Sequence, residues 1–272
     1  MANKPLLSDE GLGATVDALA YDEHGVARPG QIAAERALTI YLDKREVITL
    51  MTLGTEPELL VLGWLKNQNL LHSLSAVSSI QIDWDVESAA VTTSQVNTDI
   101  EETLSRRTVT TGCGQGTLFG NILESLQQQR LKPPQVKRSL LYALLGNLAA
   151  HNEVYRKAGA VHGCALCAGT GIVRFVEDVG RHNAVDAIAG YSWLNGMTGE
   201  DKWFYTTGRL TSEMVLKVAQ MGVPVLLSRS GVTQKGLELA QQLNMVLIAR
   251  AKGKHFLIYN GMEYMQLDSA DV

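Results

Sequence analysis

A chain of 272 residues with 46% hydrophobic and 19% charged side chains can bury one large core or two smaller ones, and it leaves no case for global disorder. Its net charge of −4 argues against a general nucleic-acid surface but leaves room for a local basic pocket. Three cysteines, with no secretory apolar segment ahead of the first polar stretch, argue against a disulfide scaffold and point to a cytoplasmic protein with reduced thiols, and no apolar run approaches the ~18 residues of a membrane-spanning helix.

Residues 1 to about 30 carry scattered glycine and charge with little period, which predicts a poorly ordered or peripheral start. From Leu38 the text turns strand-like: Leu38–Leu42, a turn at Asp43-Lys44-Arg45, then Val47–Met51, a predicted hairpin. Thr55-Glu56-Pro57-Glu58 predicts a helix start, with Thr55 as cap, Glu58 reaching back as in a capping box and Pro57 in the first turn. Leu59, Leu62, Gly63 and Leu65 then share one side through about Asn69, and Ile80–Val86 and Ala89–Thr92 read as half-buried strands.

This α+β unit delivers the chain to Thr110-Thr111-Gly112-Cys113-Gly114-Gln115-Gly116, where three glycines flank one thiol and allow a sharp bend that presents the sulfur outward. Arg106 and Arg107 precede Cys113, and nearby cations favour the thiolate, the form that attacks electrophiles. Against this stands the ordinary use of a free cysteine as a small buried apolar side chain. Residues 122–129 look helical, and Pro133-Pro134 marks a boundary between an N-terminal α+β domain, 1–132, and a C-terminal domain, 133–272.

A long amphipathic helix is predicted from Gln135, with Val136, Leu140, Leu141, Leu144, Leu145 and Leu148 as its core face. Val161–Cys167 follows the break at Gly159, and its small residues read as a closely packed helix that begins near His162. Strands at Ile172–Val176, Trp203–Thr207, Val223–Leu227, Met245–Ala249 and Phe256–Tyr259 then alternate with helices at Ala184–Leu194, Ser212–Met221 and Thr233–Leu243. That alternation predicts a layered α/β domain with a largely parallel sheet, so the chain is α+β overall. Ligands favour the carboxyl ends of such strands.

Several polar clusters fall at those ends. Glu177-Asp178-Val179-Gly180-Arg181-His182-Asn183 suits a ligand pocket, or else a helix N-terminus whose acids suit the dipole and whose Arg181 and His182 are solvated. Thr206-Thr207-Gly208-Arg209 and Ser228-Arg229-Ser230-Gly231 each pair a hydroxyl, an Arg and a Gly at a helix start, as an anion or phosphate site requires, although Ser and Thr are also ordinary caps. Arg250-Ala251-Lys252-Gly253-Lys254-His255 is either a solvated hairpin turn or a phosphate grip. Cys164 and Cys167 form a CxxC without the second ligand pair that structural zinc needs, so no metal is assigned and a structural role is preferred to a redox one.

Together these residues resemble the FdhD/NarQ family, the sulfurtransferase accessory proteins of formate dehydrogenase, over about residues 38–262. The sharpest match is Glu177–Asp186, supported by Thr111–Gly114, Val161-His162 and Ser212-Glu213-Met214-Val215. The resemblance implies a small N-terminal domain joined to a three-layer C-terminal domain similar to the cytidine deaminases, usually as a homodimer. It implies a sulfur carrier that takes persulfide sulfur from a cysteine desulfurase and passes it to the guanine-nucleotide (bis-guanine-dinucleotide) molybdenum cofactor required by formate dehydrogenase, a ligand and acceptor and not a permanently bound group.

By the same resemblance Cys113 is the persulfide carrier and Arg250, Ala251, Lys252, Gly253, Lys254 and His255 the cofactor-binding stretch, a role to which the cationic reading adds Arg209, Arg229, His162, Arg181 and His182. Many members carry a second loop cysteine where this chain has Gly116, so two loop thiols cannot resolve each other here, although one carrier thiol suffices chemically. The absence of an H-x-E signature removes deaminase chemistry. A cofactor-binding chaperone without sulfur chemistry stands as the alternative, and a zinc-dependent hydrolase of deaminase type ranks third.

Overall fold

A computed structural model describes residues 4–94 and 130–268. The Cys113 loop, Arg106, Arg107 and the helix expected at 122–129 lie outside the described residues.

The chain start is peripheral, as expected, but it forms regular structure. β1 (Leu6–Leu7) runs parallel to β6, and β2 (Thr15–Tyr21) pairs with β3 (Ala27–Ala33) in an exposed two-stranded hairpin. Little periodicity was visible because neither strand of the hairpin has a buried face to impose one. β4 (Arg36–Leu42) and β5 (Arg45–Thr52) form the predicted hairpin, with Leu38, Ile40 and Leu42 alternating into the core. With β6 (Val77–Asp83) and β7 (Ser88–Thr93) they complete a five-stranded sheet in the order β1-β6-β7-β4-β5.

Between β5 and β6 lies α1 (Pro57–Asn67), whose cap is Glu56 and not Thr55. Glu58 does not reach back to the helix start; it accepts from the Ser8 hydroxyl (2.6 Å) and the Glu10 amide (2.8 Å), tying down the N-terminal segment. Glu56 is drawn to Arg174 across the domain boundary read at Pro133. Nearly every side of α1 is buried, as for a helix apolar all round.

The second half begins with β8 (Val136–Lys137), so the amphipathic helix starts three residues later than expected, as α2 (Arg138–Ala150). Then follow α3 (Glu153–Ala158), β9 (His162–Ala168), β10 (Gly171–Asp178), α4 (Arg181–Leu194), β11 (Trp203–Thr206), α5 (Ser212–Gln220), β12 (Val225–Ser228), α6 (Gln234–Gln242), β13 (Val246–Lys252), β14 (His255–Asn260) and β15 (Met265–Gln266), the last paired with β8. The large sheet is ordered β10-β9-β11-β12-β13-β14. It is mixed and not largely parallel: β11, β12 and β13 run parallel, while β9 is antiparallel to both neighbours and β14 returns antiparallel to β13. Two tight turns reverse the chain, with Gly169 and Gly253 at positive φ of 57° and 59°.

One face of this sheet packs on α2 through Ala165, Cys167, Tyr205 and Ile248, and the other on α4, α5 and α6 through Cys164, Phe204, Leu226 and Leu247. The fold is therefore mixed α+β, with three layers in its second half. α1 joins the two sheets by lying on α4, and the approach is backbone to backbone. A Cβ on Gly63 would fall 1.8 Å from the Asp186 carbonyl oxygen, and one on Gly190 would fall 2.0 Å from that of Leu59.

Candidate functional site

The carboxyl ends of β10, β11, β12 and β13 and the start of β9 share one edge of the large sheet. Main-chain bonds lash the loops there together: Thr207 N–H to the Gly163 carbonyl (2.9 Å), Arg229 N–H to Thr206 (3.1 Å) and Arg250 N–H to Ser230 (2.9 Å). This brings His162, Arg181, Arg209, Arg229 and Arg250, scattered over 89 positions of sequence, to one rim.

The hydroxyls at this rim mostly hold the loops. Buried Thr206 Oγ1 accepts from the Gly208 amide (3.1 Å), and the Cys164 thiol lies 3.3 Å away. Ser228 Oγ donates to the Gly208 carbonyl (2.6 Å) and accepts from Ser230 N–H (2.8 Å). Thr207 Oγ1 accepts from the Gly163 amide (3.0 Å) and lies 3.4 Å from His162 Nδ1.

The run from Glu177 to Asp186 divides by role. Glu177 accepts from the Val154 and Tyr155 amides (2.8 and 2.9 Å), fixing the first turn of α3. Buried Asp178 accepts from Thr52 Oγ1 (2.6 Å) and the Leu53 amide (3.1 Å) on one oxygen, and from the Gly180 amide (3.0 Å) and Asn183 Nδ2 (2.8 Å) on the other. Burial pushes its pKa up, and those four donors oppose the shift. Asp186 takes Lys217 Nζ (2.7 Å) and Asn67 Nδ2 (2.7 Å) deep between α1, α4 and α5. Lys217 also stands 3.8 Å from Glu213, whose other oxygen is 3.4 Å from His182 Nε2. The acids are structural.

Arg181 and His182 are not solvated, as the plain helix-start reading would have them: they are 5% and 3% exposed. Burial, then Lys217 and Arg181, depress the His182 pKa to about 2, so the ring is neutral. His162, half-buried, is also depressed, first by burial and then by Arg181, Arg209 and Arg229.

The basic stretch at the last hairpin divides too. Ala251, Lys252 and Gly253 line a cleft of about 290 Å³ together with Tyr155, Arg156, Tyr205 and Arg229. The Arg229 guanidinium sits 5.5 Å over the Tyr155 ring. Arg250 adopts positive φ (56°) and lies beside Gly231 instead, while Lys254 and His255 face solvent beyond the cleft lining. Tyr155 and Arg156 went unread in the sequence; the signal was an exposed aromatic beside a cation in a short polar helix.

Cys164 and Cys167 lie on a strand, not on the expected helix, and a three-residue offset on a strand sends them to opposite faces of the sheet. They can neither pair with each other nor share a metal. Burial raises both thiols to about 12, so neither is a nucleophile near neutrality.

Known proteins agree with this architecture. "Sulfur carrier protein FdhD" of Listeria monocytogenes serotype 4b (strain F2365) is 28% identical over 235 residues, covering 85% of this chain and 90% of the relative. The protein of that name from Halalkalibacterium halodurans is 30% identical over 246 residues, covering 88% and 89%. A crystal structure of a chain described as a formate dehydrogenase accessory protein from Desulfotalea psychrophila superposes with a TM-score of 0.73 at 24% identity, covering 93% of this chain and 98% of that one, and shows the same fold. The family model described as "FdhD/NarQ family" matches residues 33–266, which takes in the large sheet, the five-stranded sheet apart from β1, and the whole rim. The chain belongs to the FdhD/NarQ family.

Proposed function

We propose that this protein is a sulfurtransferase that carries sulfur on Cys113 as a persulfide, taken from a cysteine desulfurase and delivered to a guanine-nucleotide molybdenum cofactor destined for formate dehydrogenase. The observation that carries the reading is one of elimination within this chain. Of its three cysteines, Cys164 and Cys167 are buried in β9 with thiols raised to about 12, which leaves Cys113 to do any sulfur chemistry. The names of the curated relatives are consistent with it.

The chemistry needs one thiolate. Cys113 attacks the outer sulfur of the donor's persulfide; the donor S–S bond breaks, the donor cysteine leaves as thiolate, and a new S–S bond forms on Cys113. In delivery the acceptor supplies an electron pair to the outer sulfur, the Cys113 S–S bond breaks and Cys113 leaves as thiolate. No second loop thiol is consumed, which suits Gly116.

The cleft between Arg229, Tyr155, Arg156 and Lys252 offers an aromatic face and three cations, the chemistry that takes a base and its phosphates. Its volume fits one end of such a cofactor and not the whole. In a strain lacking its own copy of the protein, Cys113→Ala is expected to abolish formate dehydrogenase activity while leaving guanine-nucleotide binding intact. Normal maturation by the variant would sink the sulfur role and leave a cofactor-binding chaperone.

A further inference from the structure

Away from the rim, the β2–β3 hairpin carries the densest exposed apolar surface among the described residues. Val16, Leu19, Tyr21, Val26 and Ile32 are 43–67% exposed, five of the thirteen large hydrophobic side chains that stand in solvent on the described surface. Single exposed apolar residues need no explanation, but a cluster does.

The hairpin is well formed. Its strands pair over seven consecutive positions, from Thr15 opposite Ala33 to Tyr21 opposite Ala27, and at its base Ala34 N–H donates to the Ala14 carbonyl (2.9 Å). At the tip Asp22 accepts from the His24 and Val26 amides and from Arg28 Nε (each 3.0 Å), and along the shaft Gln31 Nε2 donates to Asp17 (3.2 Å). Asp17, Asp22 and Arg28 thus find partners within the hairpin, while its large apolar side chains stay in solvent. A two-stranded hairpin is at best marginally stable in water unless further strands or a helix cover it. The helix against it is α3, only six residues long, which lies mainly on β3. That leaves β2 as the outer edge.

Other exposed edges are blunted and β2 is not. β3 carries Pro29, which cannot donate to a ladder. β14, the apolar outer strand of the large sheet, pairs with β13 through two breaks in register and has Lys252 and Lys254 beside it, devices by which natural edges avoid pairing. β2, Thr-Val-Asp-Ala-Leu-Ala-Tyr, has no proline, no lysine and no bulge.

We infer that β2 is a self-association edge: two copies of the chain pair their β2 strands antiparallel about a two-fold axis, turning two marginal hairpins into one four-stranded sheet. Antiparallel pairing of a strand with itself is what a two-fold axis produces, so one edge serves both copies. The exposed side chains need cover whenever the protein is folded, which a partner met only during a reaction does not give and a second copy does. The scale also agrees. A standard interface takes about 800 Å² from each partner, roughly 60% of it apolar, and five large side chains about half exposed supply on the order of 500 Å². The homodimer expected from the family resemblance thereby acquires a surface, one that depends neither on the rim nor on Cys113.

Sedimentation of the full chain from about 1 to about 50 micromolar tests it. Wild type is expected to dimerise, and Leu19→Glu with Tyr21→Glu to raise the dissociation constant at least about 100-fold while keeping the wild-type circular dichroism, since both side chains stand in solvent in the single copy. Cross-linking locates the edge without a destabilising change: in a Cys113→Ala chain, where Cys164 and Cys167 are buried, Leu19→Cys is expected to join two copies through a short bis-maleimide and exposed Val86→Cys is not. A wild type that stays monomeric at the highest concentration overturns the inference. So does a dimer that keeps its affinity in the double variant, or one in which Leu19→Cys cross-links no better than Val86→Cys, since either places the contact elsewhere.

Discussion

Two sets of charged groups meet at the start of α4, and they differ in what they have left to give. Inside, Asp178 holds four donors, and Asp186 and Lys217 hold each other 2.7 Å apart with Asn67 as a further partner. At the rim, Arg209, Arg229 and Lys252 make no ion pair among the described residues, and Arg181 behind them makes none either. Paired buried charges define where the helices sit. Cations without an ion pair among the described residues, gathered from four separate strand ends, mark the face that the proposed function gives to an anion. Both kinds occur within the run Glu177–Asp186, where Asp178 and Asp186 are held by several donors and Arg181 makes no ion pair among the described residues.

The largest test of this contrast is inside. Lys217→Met leaves Asp186 buried without its cation and is expected to cost about 3–5 kcal/mol in chemical denaturation. The double variant Lys217→Met, Asp186→Leu should recover a large part of that loss, because the penalty belongs to the stranded charge. Equal losses in single and double variants would show that packing, and not pairing, dominates there.

A middle-sized effect lies in pH. His182 titrates near 6.5 in the unfolded chain and at about 2 in the fold. Between those values only the unfolded chain takes up the proton, so stability is full above 6.5 and falls as the pH drops below it, by about 2 kcal/mol between pH 6.5 and 5. Asp178 and Asp186, whose values burial raises, act in the opposite sense, adding stability as they take up a proton. Comparing wild type with His182→Gln at each pH cancels them, and the variant is expected to lack the slope; parallel curves would mean that the ring is not held neutral.

The smallest effect on stability, and the clearest on ligand, is at the rim. Arg229→Ala and Lys252→Ala should each change stability by no more than about 0.5 kcal/mol. Calorimetry should show guanine-nucleotide affinity falling about tenfold for Arg229→Ala, with loss of both the cation and its stacking on Tyr155. Unchanged affinity would remove the cleft from the binding surface.

Much of this was legible beforehand. The β4–β5 hairpin carries alternating apolar residues around Asp43-Lys44, and four of the five strands expected after Pro134 lie within about two residues of their place, because each is a short run rich in apolar and β-branched or aromatic residues set off by Gly, Pro or polar turn residues. β9 was misread as a helix because a fully buried strand of small residues shows no alternation, and the same error concealed the antiparallel insertion that makes the sheet mixed. The capping box at Thr55 failed because Glu58 finds stronger partners in Ser8 and Glu10, 48 or more residues away in sequence, which no local pattern contains. The rim cations were readable one loop at a time, but their convergence depends on strand order, and the cleft's Tyr155 and Arg156 come from a helix that carried no motif.

The most direct test of sulfur carriage is peptide mass spectrometry after incubation with a cysteine desulfurase and free cysteine, with Cys113→Ala run in parallel. One extra sulfur on the Cys113 peptide, absent from the variant and from the Cys164–Cys167 peptide, is the expected result. Added sulfur on Cys164 or Cys167, or none on Cys113, would contradict the account.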